Sequence, residues 1–141
     1  MESSPGCWAV FGEVLAVEYS DPSYACAHRL SVDTYAVQHP GRPSPQSVQS
    51  VALHLISLCL ILEQGLDFGD ATDAIRAAAD AKGRFTWLTP PPLRGALTIA
   101  DVVGATTGQE HQRRVRAWAA SAWSAWAAHH SVVRSWTIGR A

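Results

Sequence analysis

The stretch SPQSVQSVALHLISLCLILEQG, residues 44–65, decides the fold. Ser44 offers a hydroxyl cap, and Pro45 suits the first helical position, where a missing N–H costs nothing. Val48, Val51, Leu55, Leu58 and Leu62 then recur at three- and four-residue intervals, which is one packing stripe of an α-helix. Gly65 suits the residue that follows a helix. Residues 51–62 are apolar almost all the way round, with His54 in their middle. A helix without a polar face has to be wrapped by others. The stretch therefore predicts a central helix inside an all-α domain.

Working outward, Asp21 and Pro22 open a helix predicted over 22–38. His39-Pro40-Gly41 ends it, because the residue before proline is pushed out of the helical region. The short link at 41–43 makes these two helices an antiparallel hairpin. The first twenty residues read as irregular: a turn at 4–7, then Phe11, Val14, Leu15 and Val17 as a short strand or packed loop. A third, alanine-rich helix is predicted from Asp70 as cap to about Lys82, closed by Gly83. Residues 84–97 contain three consecutive prolines, which forbid a helix. With Phe85, Trp87 and Leu88 they read as a packed cover or a lid. Thr98 with Asp101 reads as a capping pair on a short helix. The last helix is predicted over 107–136. The expected architecture is a single domain, 1–141, with four to five helices bundled around 44–64.

Composition narrows the function. The chain has 141 residues, net charge −1 and scattered basic residues. It carries no electrostatic footprint of a nucleic-acid binder and no polybasic membrane patch. Its longest apolar run is short of the roughly 20 residues a spanning helix needs. Its three cysteines (Cys7, Cys26 and Cys59) are odd in number and unpatterned, which suits reduced thiols in a cytoplasmic protein. The expected partner is a small-molecule substrate or ligand, with no nucleic acid and no membrane. A homodimer is compatible with the sequence.

The histidines carry the candidate chemistry. His28 lies about as far before the hairpin turn as His54 lies after it. At roughly 1.5 Å of rise per residue, the two imidazoles reach a similar height on neighbouring helices. Tyr24, His28, Tyr35 and His39 share one stripe, and Asp33 lies off it. Two histidines across a helix pair, with a third ligand from another helix, is how bundles build metal sites. His130, or its neighbour His129, and Cys7 are the candidates to complete the set. Such a site suits zinc or another divalent transition metal with an open position. It would supply a metal-bound water or thiol for hydrolysis or group transfer.

Two other readings stand beside this one. In the first, a metal-free binding or tailoring protein uses His54 and Tyr35 as acid–base groups in a pocket lined by Trp87, Trp123 and Trp126. In the second, a helical interaction protein keeps its histidines for structure. His39 suits a helix C-terminus. His111 reads as solvated, Cys26 and Cys59 as core, and Arg113, Arg114 and Arg116 as a solvated basic turn.

Three strings carry a resemblance: YSDPSYACAHRLSVDTYAVQHP at 19–40, SVALHLISLCL at 50–60 and RAWAASAWSAWAAHH at 116–130. Together they resemble a small bacterial family, common in actinobacteria, known as a domain of unknown function. That family's pattern opens C-P-G-C-G before the first helix. Here Cys7 matches the second cysteine, and Ser4 stands where the first would be. The resemblance implies that a metal site using both thiols would lack one ligand in this chain. It implies no substrate or cofactor.

Overall fold

The computed structural model describes residues 3–80 and 84–138. They are all-α, as expected: α1 Pro5–Ser20, α2 Pro22–Ala25, α3 His28–Gln38, α4 Pro45–Leu58, α5 Phe68–Ala79, α6 Gly108–Ala125 and α7 His130–Thr137. A π-helical turn, Cys59–Glu63, continues α4, and short 3-10 turns lie at Ile99–Asp101 and Ala127–His129. Helix α4 is the central post and touches α3, α5, α6 and α7. Ser44 caps it through Ser47 N–H, Pro45 opens it, and Gly65 follows it with φ +70°. Leu55, Leu58, Cys59 and Leu60 are fully buried. With its π-turn, Pro45–Glu63 reaches 19 residues at a mean hydropathy of 1.5, longer than the apolar run read from sequence. It is long and apolar enough to cross a membrane, yet 56% of it is buried inside the protein, as a core helix would be.

Four boundaries differ from expectation. Residues 5–20 form a helix rather than a turn and strand, because Ser4-Pro5 is an N-cap followed by a first-position proline. Phe11, Val14 and Glu18 then continue at helical spacing as its buried face. The helix expected over 22–38 is broken at Cys26 and Ala27 into α2 and α3. The helix expected over 107–136 is broken after Ala125, where Trp126 has ψ 16°. Helix α5 is capped by Asp67 rather than Asp70, and its expected end at Lys82 and Gly83 lies outside the described residues.

The segment 84–97 is irregular and packed down. Phe85 and Leu88 are buried. The Gln38 amide donates to the carbonyls of Arg94 and Leu97, each at 2.8 Å, and His129 bonds Thr89 O at 2.8 Å. Thr98 and Asp101 form the expected capping box. Two glycines hold close approaches. A Cβ on Gly95, at φ +121°, would lie 2.9 Å from Ser121 O. A Cβ on Gly108 would lie 2.5 Å from Ser23 O, where α6 meets α2. Gly95→Ala and Gly108→Ala are each expected to cost about 1–3 kcal/mol in urea unfolding. Gly12→Ala, in open space on α1, should instead gain about 0.5–1 kcal/mol. Equal effects at all three positions would remove the steric account.

Candidate functional site

Two carboxylates are buried in the helical core, and each holds at least one histidine. The first is Glu18 on α1, 1% exposed. It accepts from His28 Nδ1 at 3.0 Å, Ser31 Oγ at 2.5 Å and His111 Nε2 at 2.7 Å. These donors come from the start and first turn of α3 and from the first turn of α6. A buried charge is tolerated only when paired and hydrogen-bonded, and three donors on two oxygens meet that need. Tyr19 packs its ring on His28 at 4.9 Å, and Tyr24 packs on His111 at 4.9 Å.

The second is Asp33 on α3, fully buried. Arg29 donates to it through Nε at 3.1 Å and Nη2 at 2.5 Å, and His54 Nδ1 donates at 2.7 Å. The Ser57 hydroxyl donates to its other oxygen. Arg29 and Asp33 are one turn apart on α3, and His54 and Ser57 are nearly one turn apart on α4. This centre latches α3 to α4.

The predicted metal set is therefore not brought together. His28 turns to Glu18, and His54 turns to Asp33. Both residues do sit on the expected helix pair, His28 at the start of α3 and His54 within α4, but their rings bond different carboxylates. His130 bonds Trp123 O at 2.7 Å and stacks on the Trp123 ring at 3.8 Å. Cys7 lines a different cavity, with His39 and Arg94. Among the described residues, no three His, Cys, Asp or Glu side chains group so as to hold a metal ion. Tyr35 does not meet His54 either. Two residues along a helix rotate by about 200°, so Tyr35 and Asp33 point to opposite sides of α3. Tyr35 instead stacks between Phe11 at 4.0 Å and His39 at 4.1 Å.

The expected tryptophan pocket is packed solid at its centre. Trp126 is fully buried and donates to Val37 O, and Trp123 is 6% exposed, while Trp87 is half-buried on the cover. Cys59 is core as expected, but Cys26 is exposed. Arg113 does face outward, held by Glu110, whereas Arg114 is half-buried and also donates to Val103 O.

His111, expected in solvent, is 3% exposed and is the candidate site residue that sequence reasoning missed. It lines a cavity of about 140 Å³ walled by Val14, Val17, Val102 and Val103 and by Tyr24. A cavity of roughly this size holds a benzene ring in an engineered protein core. Because Glu18 takes the Nε2–H of His111, Nδ1 is the nitrogen left for whatever occupies the cavity. Tyr24 spends its hydroxyl on Ala105 O at 3.0 Å and presents only its ring. Glu13, also lining, is exposed and disfavours an anionic ligand. A faint sequence signal for this site existed. Glu18 occupies the next helical position after Phe11 and Val14, where an apolar residue would be expected.

No characterised protein and no solved structure was found to match the chain. What does match is a family model spanning residues 1–127, and on that match the chain belongs to DUF5946, a family of unknown function.

Proposed function

We propose that this protein binds a small, uncharged, mostly apolar molecule in the cavity beside α1 and exchanges a proton with it through His111. The observation that carries this reading is the orientation of His111. One ring nitrogen is fixed by a buried carboxylate, and the ring lines an apolar space. A carboxylate that holds an imidazole in one tautomer and orientation is the arrangement that general acid–base chemistry uses. This supports a metal-free binding or tailoring role, with His111 in the place that His54 was expected to fill. The chemistry needs only one heteroatom on the ligand, near the imidazole.

Benzene and phenol make a matched pair of probes, alike in shape and different by one hydroxyl. In a heteronuclear NMR titration, phenol is expected to bind about tenfold more tightly than benzene, from one hydrogen bond to a buried partner. Both should shift Val14, Val102 and Val103. His111→Phe is expected to abolish the difference while leaving benzene bound. If neither probe shifts these valines, or if the variant keeps the phenol preference, the proposal fails.

A further inference from the structure

A second cavity, of about 230 Å³, lies at the other end of α1, lined by Cys7, Gln38, His39, Arg94, Gly95, Thr98 and Ile99. Three of these groups have unspent chemistry. Arg94 is half-buried and pinned by its own donated bonds, from Nε to Pro91 O at 2.7 Å and from Nη1 to Gln38 O at 3.1 Å. A guanidinium carries five N–H donors. Among the described residues, no carboxylate forms an ion pair with this one. His39 donates Nδ1–H to Tyr35 O at 2.8 Å, which leaves Nε2 as its open nitrogen. Burial, and then the Arg94 charge, hold its pKa below the usual histidine value, against the Tyr35 carbonyl bond, which favours the neutral ring with Nε2 as an acceptor. Cys7 is half-buried with no hydrogen bond to its thiol among the described residues. Beside it lies the Tyr35 hydroxyl, buried and without a well-formed hydrogen bond, with Ser3 near enough only to oppose the rise that burial causes in its pKa.

We infer that Cys7, His39 and Arg94 form a thiol site for a short-chain carboxylate that carries an electrophilic carbon. Arg94 holds the carboxylate, and Cys7 sulfur attacks the carbon. The S–C bond forms as the leaving group departs with its electron pair, and the thiol proton passes to His39 Nε2. No oxidant or reductant enters. The site is independent of the His111 cavity, and neither stands or falls with the other.

The chain supplies its own controls for a test by alkylation. Cys26 is exposed and outside the cavity, and Cys59 is fully buried with its pKa pushed up to about 12 by burial and by Glu63. Native protein is treated in parallel with iodoacetate and iodoacetamide, and the three cysteines are followed by peptide mass spectrometry. The ratio of iodoacetate to iodoacetamide rates at Cys7 is expected to exceed that at Cys26 by about tenfold, from one nearby positive charge. Arg94→Gln should bring the Cys7 ratio down to the Cys26 value, with the iodoacetamide rate changed less than about twofold. His39→Asn should slow both reagents at Cys7 alike. Protection of Cys59 shows in the same digest that each variant is folded. Should Arg94→Gln expose Cys59, the wild-type protein decides alone: propionate is expected to slow iodoacetamide at Cys7 and leave Cys26 untouched. A Cys7 ratio equal to that of Cys26, or no protection by propionate, overturns the inference.

Discussion

Asp33→Ala is expected to lower the unfolding free energy by about 3–5 kcal/mol and the Tm by about 10–15 °C. The deleted carboxylate is fully buried and accepts from Arg29, His54 and Ser57. The cost comes from what remains. A guanidinium and an imidazole, each about one-fifth exposed, lose their partner, and so does a fully buried hydroxyl. Asp33→Asn keeps the volume but places an amide N–H against one of the same donors, so it should cost about half as much. Glu110→Ala is the contrast. It deletes an outward-facing carboxylate that also pairs with two arginines, in solvent, where such pairs contribute little. Its unfolding midpoint should hardly move. Urea unfolding followed by tryptophan fluorescence reads all three. An Asp33→Ala protein as robust as Glu110→Ala would show that the latch between α3 and α4 adds nothing to stability.

That latch could not be read from the sequence, and the reason is physical. The central helix was legible because its signals are local: a Ser-Pro start, a glycine after its end, and an apolar repeat between them. The capping pair Thr98 and Asp101 and the triple-proline cover were legible for the same reason. The helix breaks carry no local signature. Cys26, Ala27 and Trp126 have φ of −67°, −89° and −89°, which any residue adopts, so no glycine or proline marks them. Missing the first break put Tyr24 on the same rod as His28. The buried carboxylates failed for another reason. A charge enters a core only when distant partners meet it, and His111 lies 93 residues from Glu18. Asp33 lies off the stripe read on its helix, and Glu18 lies in a segment not read as a helix. Arg29 one turn before Asp33 was the one local hint, but solvated helix faces carry the same spacing.

Glu18 lets stability be separated from the proposed function. Glu18→Ala is expected to cost about 3–5 kcal/mol. Of its three donors, Ser31 and His111 are buried and cannot turn to water, whereas His28 is a third exposed and can. Ser31→Ala removes one neutral donor and leaves the carboxylate satisfied by two imidazoles, so about 1 kcal/mol is expected. Glu18→Gln falls between them, at about 2 kcal/mol, because the amide still offers one acceptor. The order for function differs. Ser31 makes no hydrogen bond to His111, so Ser31→Ala should keep the phenol preference of the cavity. Glu18→Gln should weaken it, since an amide N–H facing His111 Nε2 favours the opposite tautomer and puts the ring N–H toward the ligand, where phenol can only accept and is the poorer partner. Stability from urea unfolding, phenol and benzene affinities, and the His111 tautomer from ring ¹⁵N shifts give three independent readings on each variant. If Glu18→Gln keeps both the tautomer and the phenol preference, Glu18 is a structural partner only, and the proton exchange assigned to His111 loses its basis.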